Sequence, residues 1–165
     1  MKKSFNIFYI MGVSGCGKST VGNLLAKKLD LPFFDGDDFH STENVKKMAS
    51  GVPLTDEDRK GWLEVLNSKA KENLNYGAII GCSALKKSYR NLLARNIENS
   101  VVWIFLDGTY EEIRSRMEDR KDHFMPPTLL KSQFRSLEIP ENAIIISINK
   151  SPEDIVSEIL QSISI

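Results

Sequence analysis

Residues Gly12-Val13-Ser14-Gly15-Cys16-Gly17-Lys18-Ser19 match the pattern G-x-x-x-x-G-K-[ST] at every fixed position. Glycines at these points let consecutive backbone amides turn inward and approach phosphate oxygens without a clashing Cβ. A helix starting near Lys18 would add unpaired amides and a partial positive charge. Lys18 supplies a mobile cation for the β- and γ-phosphates, Ser19 a hydroxyl for magnesium, and Thr20 completes the nucleotide-binding run. A plain glycine turn is the competing reading. The apolar run before these residues and the amphipathic run after them favour the phosphate cradle, and with it a nucleoside triphosphate. Asn149-Lys150-Ser151-Pro152 stands where a guanine-reading N-K-x-D would, but the aspartate is replaced by Pro152. ATP is therefore the expected nucleotide.

A second group of chemistry-bearing residues is Phe34-Asp35-Gly36-Asp37-Asp38-Phe39-His40. Carboxylates one residue apart can divide the labour of phosphoryl transfer. Asp35 is expected to support magnesium with Ser19, and Asp37 to accept or orient the proton of an acceptor hydroxyl. An Asp-Gly turn with solvated carboxylates is the alternative. The phosphate loop one strand-helix unit upstream tips the balance toward chemistry.

These residues need elements to hold them. Near-continuous apolar runs at Phe5 to Met11, Phe33-Phe34, Ala78 to Cys82, Val101 to Leu106 and Ala143 to Ile148 predict five buried parallel strands. Between them lie helical signals. Leu24, Leu25 and Leu29 fall at helical spacing, ended by Leu31-Pro32. Thr55 with Asp58, and Thr109 with Glu112, read as helix starts, and Ser151, Pro152 and Asp154 as another. Strand-helix alternation from end to end predicts an α/β fold, a five-stranded parallel sheet sandwiched by helices, as one domain over residues 1–165. In such sheets ligands gather at the carboxyl ends of the strands.

Composition closes off other classes. The chain has 165 residues, 41% apolar and 27% charged, with 22 basic and 22 acidic side chains. A chain of this length buries roughly 70% of its unfolded surface, so it needs no covalent staples. Zero net charge gives no support to bulk nucleic-acid or membrane-surface binding. Two cysteines, Cys16 and Cys82, fit a reducing, cytoplasmic setting. Lys2 and Lys3 ahead of an apolar run and Cys16 imitate a lipoprotein signal, but the run is short and broken by Asn6. A buried strand feeding the glycine loop is the preferred reading, and no later run approaches a membrane span. Cys16, beside Lys18, could be an activated thiolate. A packed, inert thiol standing in for serine is preferred.

The acceptor-side residues carry a resemblance. Asp35-Gly36-Asp37-Asp38-Phe39-His40, Lys47-Met48-Ala49-Ser50-Gly51-Val52-Pro53-Leu54 with Asp56-Glu57-Asp58-Arg59, and Cys82 to Arg90 resemble the gluconate kinase family. So do Arg120-Lys121-Asp122-His123-Phe124-Met125 and Ser132-Gln133-Phe134 with Leu137-Glu138. The resemblance implies a P-loop kinase fold with a small lid at about residues 116–128, and phosphorylation of D-gluconate at its 6-hydroxyl by ATP and magnesium. It also implies that Arg116 stacks on adenine and that Arg120 neutralises phosphate charge. Their spacing puts both on one helix face. Salt bridging to Glu112 or Glu118 is the plainer alternative. Asp122, where the family usually has glycine, and Cys16, where serine is commoner, are departures that remove no reactive group.

The acceptor of such a kinase is an anionic polyol, which needs a cation and mixed hydrogen-bonding groups. Arg59 is the first candidate for its carboxylate, followed by Lys87 and Arg90, with His40 and His123 for its hydroxyls. The catalytic set expected is Lys18, Asp37 and Arg120. A homodimer is compatible with the sequence. Competing functions are another small-molecule P-loop kinase, shikimate-like or acting on nucleoside monophosphates, and a non-catalytic nucleotide-binding regulator.

Overall fold

The computed structural model describes residues 6–119 and 127–163. Five strands form one parallel sheet: β1 (Ile7–Met11), β2 (Phe33–Asp35), β3 (Ala78–Gly81), β4 (Val101–Asp107) and β5 (Ile144–Ser147). Their spatial order is β2-β3-β1-β4-β5. All four pairings are parallel, with Ile7 opposite Ala78 on one side of β1 and Val101 on the other. β1 is thus the central strand, fully buried and apolar along its length. Helices connect the strands: α1 (Lys18–Leu29), α2 (Thr42–Ala49), α3 (Asp56–Glu72), α4 (Lys87–Leu93), α5 (Tyr110–Asp119), α6 (Pro127–Ser136) and α7 (Pro152–Ile163).

The expected strands and helix starts are all present, and the expected five-stranded α/β sheet is the observed one. β5 departs in one respect. It lies at the sheet edge, and Ile145 is 48% exposed. An edge strand has a neighbour on one side only, so an apolar run alone does not guarantee cover on both faces.

One hydrophobic core joins the inner strands to α1, α3, α4 and α7. Tyr9 and Trp103 stack across β1 and β4 with centroids 4.7 Å apart. The Tyr9 hydroxyl donates to the Leu93 carbonyl at 2.9 Å, and Asn67 donates to the same oxygen at 2.8 Å. Those bonds tie α3 and α4 to the sheet and satisfy polar groups that burial would otherwise penalise. Close packing also sets the glycine positions. A Cβ on Gly36 would lie 2.5 Å from the Gly81 carbonyl oxygen, so the chain leaving β2 can pass β3 only without a side chain. Among the described residues no helix is long and apolar enough to cross a membrane.

Candidate active site

β1 delivers the chain into the glycine loop at the carboxyl edge of the sheet, between β3 and β4. In such sheets the point where strand order diverges opens a crevice. Gly12, Gly15 and Gly17 have φ of 146°, 82° and 101°, values that side chains rarely adopt. Gly17 caps α1 without any side-chain bond, and the first turn of α1 carries no acidic residue. The amides at that end have no helical carbonyl to pair with, so an anion is their natural partner. Lys18 folds back over the loop, its Nζ donating to the carbonyls of Gly12 and Val13 at 3.0 Å each. Bonds of this kind are easily exchanged for phosphate oxygens, to which the ammonium is attracted by full charge.

Beside the loop lies a cavity of about 320 Å³ lined by Cys16, Gly17, Thr20, Arg116, Lys150 and Ile155, among others. Its size suits a small-molecule group. Arg116 is held there by a 2.5 Å bond from its Nη2 to the Ile148 carbonyl, rather than by Glu112. Lys150, from the Asn149-Lys150-Ser151-Pro152 run that lacks the guanine-reading aspartate, also lines it and pairs with Glu158 of α7. Cys16 is fully buried, so it is the packed thiol and not an accessible nucleophile.

On the opposite side of the loop, Ser19 Oγ donates to Asp35 Oδ2 at 2.7 Å. Asp35 Oδ1 accepts the Asp37 amide at 3.0 Å, capping the short 3-10 turn Gly36–Phe39. One carboxylate therefore links the phosphate-loop hydroxyl to the turn that carries Asp37. A hydroxyl and a carboxylate in contact are the hard oxygen donors that magnesium takes together with phosphate oxygens and water. Among the described residues no cluster of three or more His, Cys, Asp or Glu forms a closed metal cage.

The 3-10 turn is fixed from below by Trp62 of α3, whose Nε1 donates to the Gly36 carbonyl at 2.7 Å. The His40 ring stacks on the same indole at 3.9 Å and meets Asn44 Nδ2 at 3.4 Å. Burial, reinforced by the nearby Arg59 charge, lowers the His40 pKa to about 4. His40 is thus a neutral imidazole at physiological pH. Arg59 donates through Nη1 to the Leu54 carbonyl at 2.6 Å and to the Tyr89 hydroxyl at 3.1 Å. Tyr89 in turn donates to Asp56, which also holds Lys86 at 3.0 Å. Those two partners, Tyr89 first, draw the Asp56 carboxyl below the usual range. Behind this wall Lys47 pairs with Asp58 at 2.6 Å, and Asn44 donates to the Asp58 carbonyl at 2.9 Å. The Lys47 bond, followed by the Thr55 amide, holds the Asp58 carboxyl at about 2. The run from Lys47 to Arg59 is largely a clasp between α2 and α3 that presents Arg59.

Lys18, Asp37 and Arg59 converge electrostatically on Cys82 at the end of β3. Burial, with the Asp37 charge acting in the same direction, outweighs the Ala84 backbone bond and the Lys18 and Arg59 charges and pushes that thiol up to about 12, which leaves it protonated and inert. Two other expected acceptor residues are placed differently. Arg90 is only 8% exposed and donates to the carbonyls of Ala84, Leu85 and Glu138, bracing the loop after β3. Lys87 and Arg90 line a separate cavity of about 280 Å³ with Trp103, Glu138 and Asn142, among others. The residue that reaches Asp56 and the Tyr89 ring is Lys86, one position earlier. Arg120 and His123 lie outside the described residues. Sequence reasoning passed over Lys86, Tyr89, Trp62 and Gln133 as site residues, although Lys86, Tyr89 and Gln133 stand inside the family-like blocks.

A phosphate loop on the central strand of a β2-β3-β1-β4-β5 sheet, facing an acidic turn, defines a P-loop phosphotransferase. The shikimate kinase family model matches residues 14–164. More specific relatives come from whole-chain comparison. The thermosensitive gluconokinase of Escherichia coli (strain K12) is 43% identical over 94% of this chain and 86% of its own. A probable gluconokinase of Mus musculus is 42% identical over 95% of this chain and 97% of its own. The crystal structure of a gluconokinase from Sinorhizobium meliloti 1021 superposes with a TM-score of 0.88 at 36% identity, covering 98% of this chain and 93% of that one. The chain belongs to the gluconokinase family of P-loop kinases.

Proposed function

We infer that the protein is a gluconokinase, transferring the γ-phosphoryl group of ATP to the 6-hydroxyl of D-gluconate to give 6-phospho-D-gluconate. The observation that carries this reading is the union of a phosphate loop with an acceptor wall of Asp37, His40 and Arg59, in a chain more than 40% identical to curated gluconokinases. The shikimate kinase model describes the shared P-loop scaffold, while the acceptor blocks favour gluconate.

ATP binds with its phosphates in the Gly12–Gly17 loop and its base side in the cavity beside Arg116 and Thr20. Lys18 leaves its two carbonyls and follows the transferring charge. Ser19 and Asp35 would hold magnesium, which when bound neutralises phosphate charge. Arg59, oriented by Leu54 and Tyr89, receives the gluconate carboxylate. Neutral His40 can accept or donate to a hydroxyl of the polyol. Asp37 takes the proton of the attacking hydroxyl as the oxygen-phosphorus bond forms. Arg90 serves as a brace of the loop after β3 rather than a carboxylate ligand, and Lys86 takes the place assigned to Lys87 on the acceptor wall. Residues 116–128 are assigned as the lid, with Arg120 on phosphate and His123 on the acceptor. Closure over the site would exclude water and limit ATP hydrolysis. A cytoplasmic enzyme, compatible with a homodimer, completes the reading.

The test is ADP release from Mg-ATP with gluconate, gluconate stereoisomers, shikimate, glycerate and AMP as acceptors. Gluconate is expected to turn over fastest. Turnover with shikimate or AMP and none with gluconate would reject the assignment.

A further inference from the structure

Gln133 of α6 makes the longest-range polar contact with the phosphate loop among the described residues. Its Oε1 accepts the Ser14 amide at 2.7 Å, and its Nε2 donates to Ser14 Oγ at 3.2 Å. A single carboxamide thus grips one residue of the loop at two points, its backbone amide and its hydroxyl, from 119 residues away in sequence. The next residue, Gly15, is packed from another side by α5. A Cβ there would meet Met117 at 2.9 Å and Ile113 at 3.3 Å. α5 and α6 are themselves joined by an edge-on contact of Tyr110 with Phe134, the neighbour of Gln133, at 5.7 Å. Leu129 and Leu130 are buried beneath them. The carboxamide is therefore presented by a packed helix and not by a free side chain.

We propose that Gln133 is a positioning residue for phosphoryl transfer, fixing the Ser14 peptide so that the remaining loop amides stay turned toward the triphosphate. The chemistry of the side chain supports this. Only an uncharged carboxamide of this length both accepts from the Ser14 amide and donates to its hydroxyl. A glutamate would keep the acceptor and the shape, but would set a negative charge against the γ-phosphate end of the nucleotide. A methionine would keep the length and lose both bonds. Gln133 acts through the loop and touches no reacting atom, so its effect falls on ATP rather than on gluconate.

The inference rests on the kinase reading, and calorimetric binding of Mg-ATP to the full chain without any acceptor separates the two. Failure of gluconate turnover in the wild-type protein would count against the acceptor assignment and leave the ATP measurement intact. Gln133→Glu is expected to weaken ATP binding by about 10-fold or more and Gln133→Met by about 3- to 10-fold, as for lost hydrogen bonds with and without added charge repulsion. Where gluconate turnover is measurable, its KM should change by less than about 2-fold, and the melting temperature should fall by less than about 5 °C. In a Ser14→Ala background, Gln133→Met should cost less than in wild type, because one of its two bonds is already gone. Unchanged ATP affinity in both variants would overturn the proposal. So would a fall in melting temperature beyond about 5 °C with ATP and gluconate affinity lost alike, since that is the signature of a fold tie.

Discussion

Asp37 stands on a 3-10 turn whose first carbonyl is held by Trp62 and whose amide is held by Asp35. Its backbone is thereby held by Asp35 and Trp62. Asp37→Asn is expected to lower kcat by about 100-fold or more, as for a lost general base, while ATP affinity stays near wild type. Loss of ATP binding with catalysis by the bound fraction intact would move Asp37 to the nucleotide side. His40 makes a separate prediction about pH. Its folded pKa, about 4, lies below the 6.5 of the unfolded chain, so between those values the unfolded state binds more protons. Stability from this residue is full above about pH 6.5 and is lost as pH falls toward 4. Denaturant titrations at pH 7 and pH 5 should show a smaller acid loss for His40→Gln than for wild type. An identical loss in both would show that His40 does not titrate with folding.

At the scale of elements, α3 is the piece on which the acceptor wall depends. It begins with a full capping box, Thr55 Oγ1 accepting the Asp58 amide at 3.1 Å and Asp58 Oδ2 accepting the Thr55 amide at 2.9 Å. Four residues after Asp58 it carries Trp62 beneath His40, with Arg59 between. Thr55→Ala should cost about 1 kcal/mol of folding stability, the usual value of an N-cap hydroxyl. It should also raise the KM for gluconate more than that for ATP, because α1 and the glycine loop are capped independently. Equal changes in both constants would mean that α3 does not act on the acceptor side selectively. The phosphate loop, by contrast, draws on β1 and α1 for its path, and on α5 and α6 for its walls.

For the molecule as a whole, ligands that bind only the folded state stabilise it in proportion to occupancy. Mg-ATP at about 100 times its Kd should add about 2.7 kcal/mol, read as a rise in melting temperature. ATP with chelator should add less, since Ser19 and Asp35 then present oxygen to phosphate without a cation between them. An equal shift with and without magnesium would remove the Ser19–Asp35 pair from the metal assignment. The distribution of polar bonds fits this picture. Long-range contacts such as Arg90 to Glu138 and Tyr9 to Leu93 hold elements in place, and the site is assembled where those elements meet.

The local features of the fold are legible in the sequence. A glycine loop between an apolar strand and an amphipathic helix is encoded within some 25 residues, because backbone conformation there depends on near neighbours. Strand runs and helix caps are equally local, so all five strands and the Thr55, Thr109 and Ser151 caps were found where their residues predicted them. What the sequence alone left open was which of several similar side chains faces the site. Lys86 and Lys87 differ by one position, yet Lys86 sits in extended backbone before α4 and Lys87 begins the helix. Successive helical residues turn by about 100°, so the phase of that helix start selects the one that meets Asp56. Arg90, one turn on, is carried inward to carbonyls for the same reason. Gln133 could not be matched to Ser14 from spacing, since their meeting depends on α6 packing over a loop 119 residues earlier. Local chemistry determines the parts of this site, and only the packing of distant elements decides which charges and amides point into it.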